Sequence, residues 1–283
     1  MTVRNQTTKG APKGRPLNPS LRRVKAYLRP RAPLSSRERL TISALGICAF
    51  FGFWLLVTAA GWIQPFFLPN PIDVATRLAQ MVLFEGYLSD VWSSAYRVFG
   101  GFLIASLVAI PIGILIGNFP FFRSLVEPLL STARYLPATA FVPLMIIWLG
   151  INESQKIAVI FIGTFFPLAL FIASISEGVS SDLMNSAYSL GASSRQVFFK
   201  VLLPACVPAI VDALRITAGI AWTYVIVAEL VGADNGMGIA ILQAQRYLLT
   251  DQVIAGIVAV GILGVLTDLA FRLAHRKFFP YLY

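Results

Sequence analysis

The fold of this chain is constrained most by long apolar stretches that contain almost no charge. A bilayer core about 30 Å thick is crossed by roughly 20 apolar residues in an α-helix, whose backbone hydrogen bonds are satisfied internally. Six stretches meet this requirement: 42–63, 98–122, 135–152, 157–176, 206–228 and 253–272. Only 206–228 and 253–272 contain or end on charged residues. The sequence therefore predicts an all-α integral membrane protein whose membrane domain, residues 42–283, has six spanning helices.

The composition excludes a soluble globular domain. Of the 283 residues, 57% are hydrophobic and 13% are charged, whereas soluble domains have about 45–50% apolar and about 25% charged residues. The two cysteines lie far apart in sequence, which excludes a disulfide framework as the main stabiliser. The sequence has no G-x-x-x-x-G-K-[ST] phosphate loop and no metal-ligand spacing around its single histidine, His275. We therefore expect no enzyme active site and no cofactor bound to this chain.

The formal net charge of +10 belongs entirely to the N-terminal tail. Residues 1–41 contain eleven Lys or Arg residues and one acid, Glu38, whereas the 12 bases and 12 acids of the remaining chain cancel. The tail also contains five prolines and too few apolar residues to form a core, which predicts disorder. Because the tail has no folded module, we expect weak attraction to anionic membrane lipid rather than nucleic-acid binding.

The distribution of basic residues predicts the orientation in the membrane. With the N-terminus inside, the inner segments contain 17 Lys or Arg residues and the outer loops contain 3. The positive-inside rule therefore places both termini in the cytoplasm. The apolar stretch 42–63 is longer than the core of a signal peptide, so we expect it to be retained.

The connection between the fourth and fifth spans, residues 177–204, has a helical pattern. Leu183, Ala187 and Leu190 recur at three- and four-residue spacing and predict one packing face. Ser180 or Ser181 is suited to cap the start of this helix, and Gly191 its end. A second helix is predicted to begin at Ser193, to share a capping box with Gln196 and to end at Pro204.

Two interpretations of this helix-turn-helix remain open at this stage. An amphipathic helix can rest on the membrane surface, where basic residues meet lipid phosphates. It can also dock a partner protein. The polar face of the first helix has Asp182, Asn185, Ser186 and Ser189 but no base, which weakens the membrane interpretation.

The same loop carries a family resemblance. Asn185-Ser186-Ala187, Gly191 and Val201-Leu202-Leu203-Pro204 have the spacing of a motif in which Glu-Ala-Ala is followed by three residues, Gly, nine residues and Ile-x-Leu-Pro. This resembles the coupling loop of the permease subunit of an ATP-binding-cassette (ABC) importer. In this chain Asn185 stands in place of the acidic residue and Ser186 in place of the first alanine.

Short segments along residues 64–272 resemble the nitrate, sulfonate and taurine branch of this binding-protein-dependent transport family. These segments are LPNP at 68–71, RYLPA at 134–138, PL at 143–144, WLGINE at 148–153, FFP at 165–167, LRI at 214–216, AW at 221–222, AE at 228–229 and GMG at 236–238. The resemblance implies a six-helix type I ABC importer permease fold and a small solute such as nitrate, a sulfonate, taurine or a nitrogenous compound.

The resemblance also implies the partners. Two permease chains, here expected to be a homodimer, pair above two ABC ATPase subunits, which hold the ATP and Mg, and a periplasmic or lipid-anchored solute-binding protein delivers the solute. The residues expected to couple transport to the ATPase are Leu183, Asn185, Ala187, Leu190, Gly191, Ala192, Leu203 and Pro204.

Ionisable and aromatic residues inside the spans are candidates for the translocation pathway. Arg134 either lines an anion path or reaches toward the membrane interface. Arg215 either faces the path or pairs with Asp212, and Trp222 either contacts solute or packs. Glu229 is expected at a gate, at the binding-protein contact, or simply exposed. An ion-coupled secondary transporter remains the alternative function, although the sequence shows no clear inverted repeat.

Overall fold

The computed structural model describes residues 35–282. The prediction of disorder for residues 1–41 therefore lies almost entirely outside the described residues. The chain divides into two units, residues 1–57 and 58–283, which are described separately. Most of the first described helix, α1 (Ser36–Ala59), belongs to the first unit. Its start is stabilised reciprocally, because the Glu38 N–H donates to Ser35 Oγ at 3.2 Å and the Ser35 N–H donates to the Glu38 carboxylate at 3.0 Å.

The second unit is a helical bundle, and its described residues contain no strand. Its elements are α2 (Pro71–Phe84), α3 (Tyr87–Asn118), α4 (Pro120–Ala133), a 3-10 turn (Ala138–Phe141), α5 (Val142–Leu149), α6 (Glu153–Glu177), α7 (Ser181–Ser189), α8 (Ser194–Val197), a π-helical turn (Phe198–Leu202), α9 (Leu203–Glu229), α10 (Met237–Arg246), α11 (Thr250–Phe278) and a final 3-10 turn (Pro280–Leu282).

Helices α3 and α6 run parallel and pack along a seam of glycines. A Cβ added to Gly101 would lie 2.8 Å from the Ile157 carbonyl oxygen, and one added to Gly113 would lie 2.6 Å from the Ala169 carbonyl oxygen. Gly117 comes equally close to the end of α6. Since real Cβ contacts are longer than 3 Å, only glycine allows this approach. These glycines therefore permit the close contact between the two helices.

The parallel seam shows that the chain must cross the bundle between α3 and α6. The end of α3 lies beside the end of α6, and the start of α6 lies beside the start of α3, so residues 118–152 return from one end to the other. The prediction of a continuous span at 135–152 is wrong. Helix α4 and the residues Ala138–Leu149 are bent by 87° about a short break, and only together are they long and apolar enough to cross.

The break has a local cause. Pro137, in extended conformation, precedes the 3-10 turn, and proline disfavours helical geometry at the residue before it. The second predicted span, 98–122, is also divided, because α3 ends at Asn118 and extended Phe119 separates it from α4. With the bent pair counted as one span, the described residues contain up to six candidate spans.

The prediction that Pro204 ends the second loop helix is also wrong. Helix α8, the π-helical turn and α9 form one continuous stretch, Ser194–Glu229. The π-helical turn shifts the hydrogen bonding, so that the Leu203 N–H donates to the Phe198 carbonyl. Pro204 then lies in the first turn of α9, where its missing N–H leaves no interior hydrogen bond unmade.

Helix α11 runs antiparallel to α9 and completes the bundle. The Trp222 indole N–H donates to Thr267 Oγ1 at 3.0 Å, and the His275 ring lies 3.2 Å from the Pro208 carbonyl oxygen. These contacts align α11 against α9 in the opposite direction. Helix α2 packs beside the start of α11, where the Arg77 guanidinium donates to Gln252 Oε1 at 2.8 Å.

Candidate functional site

Helix α7 ends in a tight, fully hydrogen-bonded corner. The Ala192 N–H donates to the Ala187 carbonyl at 3.1 Å, and the Gly191 N–H donates to the Tyr188 carbonyl at 2.9 Å. Gly191 has φ = +84°, the left-handed conformation that side chains disfavour. This is a Schellman motif, which satisfies the last carbonyls of the helix. The expected role of Gly191 in ending α7 is confirmed.

The corner continues directly into the next helix. The Gln196 N–H donates to Ser193 Oγ, while the Ser193 N–H donates to Gln196 Oε1 at 2.9 Å. The predicted capping box is therefore present, and Ser180 caps the start of α7. Helix α7 is therefore followed, through a hydrogen-bonded corner, by the long helix Ser194–Glu229.

The apolar residues of α7 face two directions. Met184 is half-buried and packs, like Phe198, against the core cluster at this end of the bundle. Leu190 is 89% exposed and Leu183 is 47% exposed. Helix α7 therefore contacts its own chain on one side and presents an apolar surface, here called the α7 surface and comprising Leu183 and Leu190, on the other.

The other residues of the predicted coupling loop differ in their exposure. Asn185 and Pro204 are exposed, whereas Ala187, Ala192 and Leu203 are half-buried. A cavity of about 310 Å³ lies between α7 and the ends of α3 and α6, with Phe119, Met184 and Tyr188 in its lining. This space lies between α7 and the α3–α6 seam, and α7 is linked to the end of α6 by three residues and to α8 by the Gly191 corner.

At the opposite end of the bundle, Glu229 is fully buried, which rules out the exposed alternative. Its carboxylate accepts hydrogen bonds from Arg97 and from Ser94 Oγ, both at 2.7 Å, and from the Gly238 N–H at 2.7 Å. A buried carboxylate is tolerated when it is paired and hydrogen-bonded in this way. Glu229 is therefore part of a closed polar cluster and is not open to solute in this conformation.

Arg97, which the sequence reasoning missed, is the centre of this cluster. It is 2% exposed, and its guanidinium also binds Glu153 bidentately, at 2.6 and 2.7 Å. Two further bonds go to the Asn235 backbone and side-chain oxygens at 2.8 and 2.7 Å. All five guanidinium N–H donors therefore have acceptors. The cluster joins α3, α6, α9 and the start of α10.

The Gly236-Met237-Gly238 segment owes its glycines to the same cluster. A Cβ on Gly236 would lie 2.6 Å from the Arg97 guanidinium, and one on Gly238 would lie 2.8 Å from Glu229 Cβ. The Gly236 N–H donates to Asp90 Oδ1 at 2.7 Å. Arg97 directly precedes the apolar stretch 98–122, so in the sequence it reads as a residue at the edge of a span and not as a buried one. The sequence signal that could have revealed it is Glu229, a second charged residue, which lies inside another span.

Two other predicted pathway residues are also engaged within the chain. Arg215 lies 3.3 Å from Asp212 and 3.7 Å from Asp268, so the expected Asp212 contact is present and a second carboxylate is added. Trp222 is buried and packs edge-on against Phe99, with its indole N–H on Thr267. Trp222 is therefore enclosed by its own chain, whereas the Arg215 side chain is 24% exposed.

Arg134 differs from these residues because it is exposed. It lies at the break between α4 and the 3-10 turn, with its guanidinium over the Tyr135 ring at 5.0 Å and a 3.0 Å hydrogen bond to the Tyr135 hydroxyl. Of the four predicted pathway residues, the structure leaves Arg134 exposed and without an acidic partner among residues 35–282.

The coupling element and the spans together match a known transport family. Residues 109–280 match the family described as "Binding-protein-dependent transport system inner membrane component". The chain belongs to this family. It is 34% identical to the taurine transport system permease protein of Escherichia coli over 89% of this chain and 92% of that protein. It is 32% identical to the nitrate import permease protein of Synechocystis over 71% of this chain and 76% of that protein.

A solved structure supports the type I permease fold of this family member. A chain of the inward-facing MetNI methionine ABC transporter superposes with a TM-score of 0.59, at 22% identity, over 67% of this chain and 94% of that chain. The chain is therefore a multi-pass inner-membrane permease subunit of an ABC importer, a transport component rather than an enzyme. The alternative of an ion-coupled secondary transporter is excluded.

Proposed function

We propose that this permease forms the translocation pathway for a small oxyanion or sulfonate and is driven by ATP hydrolysis in a partner subunit. The observation that carries the coupling part is the α7 surface, an exposed apolar patch on a helix that is joined rigidly to a spanning helix. The ATP and Mg belong on the partner ATPase. Relatives named for taurine and nitrate support the solute class.

In this mechanism the ATPase holds α7 in a cleft, with Leu183 and Leu190 buried on docking. Closure of the ATPase pair moves α7, and the hydrogen-bonded corner transmits the movement through α8 and the π-helical turn to α9. The far end of α9 carries Glu229 and therefore the Arg97 cluster. ATPase closure at one end of the bundle is thereby linked to the packing of α3, α6 and α10 at the other.

The assembly is proposed to contain a second copy of this chain, with the pathway between the copies, and a solute-binding protein at the Arg97 end. Both termini and α7 are cytoplasmic in this proposal, in agreement with the positive-inside count. Co-purification of two differently tagged copies from one membrane tests the homodimer. Failure of the tags to co-purify, with the ATPase present, contradicts it.

The docking role of the α7 surface is tested by Leu190→Asn. The side chain is 89% exposed, so its replacement leaves the fold intact but removes apolar area from the proposed interface. We expect reduced co-purification of the ATPase and loss of binding-protein-stimulated ATP hydrolysis. Phe84→Asn in α2, at 82% exposure and at the opposite end of the bundle, is the matched control. Equal ATPase binding by both variants contradicts the proposed docking.

The whole function is tested by uptake in proteoliposomes. The chain is reconstituted with its ATPase and binding protein, and uptake of labelled taurine and nitrate is measured with and without ATP inside the vesicles. We expect ATP-dependent uptake of at least one of these anions. Uptake in vesicles that contain this chain without an ATPase contradicts the proposal.

A further inference from the structure

The arginines deep in the spanning helices are electrostatically balanced, with the exception of Arg134. Arg97 pairs with Glu229 at 2.7 Å, and both Arg215 and Arg272 pair with Asp268. No carboxylate in the described part of the chain, residues 35–282, lies within 4 Å of the Arg134 guanidinium. Arg134 contacts its neighbour Tyr135 instead. A net positive charge is therefore left at this position.

Arg134 also lies midway between the ends of the bundle. Residues 118–152 return from the end of α3 to the start of α6, and the break that contains Arg134 is in the middle of this segment. One turn earlier, Leu130 belongs to the packed cluster that extends from Phe165 in the middle of α6 to Leu202 at the α7 end of the bundle. One turn beyond the break, Val142 packs with Val159 and Ala228, close to the Arg97 end.

The charged side of the break faces away from the core of its own chain. Ala138 is buried against the bundle, whereas Tyr135 is 75% exposed and Leu136 is 54% exposed. An unpaired guanidinium at this depth is costly against lipid hydrocarbon, and such groups face a bundle interior or a water-filled cavity. In a permease, the water-filled cavity at mid-membrane is the pathway of the solute.

We propose that Arg134, supported by Tyr135, is the anion-recognition site of the translocation pathway, where it binds the sulfonate or nitrate-type oxygens of the passing solute. This inference rests on the proposed function and names the residue that binds the negative charge of the solute. A guanidinium offers a planar fork of donors that matches two oxygens of one oxyanion. The Tyr135 hydroxyl accepts from Arg134 Nη2 and holds this fork in place, while the other guanidinium nitrogens stay free for the anion.

The test uses the complete transporter in proteoliposomes, with taurine and nitrate as probes. We expect Arg134→Gln to lower the initial uptake rate about tenfold or more, as for loss of a charged hydrogen-bond partner, and Arg134→Lys to restore part of it. The amount of assembled complex is expected to match the wild type. Arg246→Gln, at an exposed arginine of α10, is the matched control and should change uptake less than about twofold.

Each outcome decides the proposal. Equal uptake by Arg134→Gln and the wild type overturns it and leaves the proposed function standing, whereas a wild type that imports neither anion overturns the function itself. The same assay with and without phosphatidylglycerol separates solute from lipid. If the Arg134→Gln defect occurs only in vesicles that contain this anionic lipid, Arg134 binds a lipid phosphate and the proposal is wrong.

Discussion

At the scale of single residues, burial decides which charged groups are structural. Glu229, inside a predicted span, was singled out from the sequence, whereas Arg97 was missed because it stands at the edge of its apolar stretch. The structure brings them together with Glu153, which begins another span. No periodicity links residues 97, 153 and 229, so this cluster requires the tertiary arrangement.

The Arg97 pair gives a prediction at this scale. Arg97→Met leaves Glu229 buried beside an apolar side chain, which we expect to destabilise the protein by about 3–5 kcal/mol. Arg97→Met combined with Glu229→Met should recover most of this loss, because no buried charge remains unpaired. Thermal unfolding in detergent measures both effects. Arg77→Met, which breaks the partly exposed pair with Glu85, is the control and should cost no more than about 1 kcal/mol.

A second residue-scale prediction concerns Gly191. An added Cβ would meet nothing within 4 Å, so the constraint at this position is the backbone conformation and not space. Asparagine tolerates φ near +84° better than other side chains do, whereas proline fixes φ near −65°. We expect Gly191→Asn to retain uptake and Gly191→Pro to lose uptake while still inserting into the membrane. Normal uptake by Gly191→Pro contradicts the role of the corner.

At the scale of elements, the sequence predicted the helices whose signals are local. The Ser193–Gln196 capping box and the Gly191 corner follow from residue types at fixed spacing, and both are present. The break at 134–137 and the continuity through Pro204 were missed, because an apolar stretch does not show where a helix bends. Proline is compatible with either outcome, and the surrounding hydrogen bonding decides between them.

The π-helical turn gives the prediction for this scale. A π-helical turn accommodates one extra residue in a helix, so an alanine inserted between Lys200 and Val201 adds a second extra residue that this turn does not absorb. Helix α7 would then rotate about 100° relative to α9, and we expect loss of ATPase coupling with normal membrane insertion. Lys200→Ala keeps the residue count and should behave like the wild type. Coupling that survives the insertion contradicts transmission through this turn.

At the scale of the whole molecule, the direction of each span follows from the contacts between them. The prediction of six spans holds only if the bent pair, α4 and residues Ala138–Leu149, crosses the membrane once. The parallel packing of α3 and α6 requires such a crossing between them. Composition predicted the fold class, since only a membrane accommodates so many long apolar stretches. The parallel pairing was not predictable, because the glycines that permit it also occur in many turns.

The orientation gives a testable prediction for the whole chain. In a variant without its two native cysteines, Phe84→Cys and Ser189→Cys place single thiols at exposed positions on opposite ends of the bundle. We expect a membrane-impermeant maleimide to label position 84 in spheroplasts and to label position 189 after lysis. The reverse pattern would place α7 outside the cell and contradict cytoplasmic coupling.

The glycine seam between α3 and α6 has an evolutionary consequence. Because these two spans hold each other through their own backbone contacts, the intervening segment 118–152 is free to vary at its exposed break without loosening the bundle. The Gly191 corner lies on a different part of the chain. Under the proposed function, the exposed break and the docking corner can therefore change independently of each other.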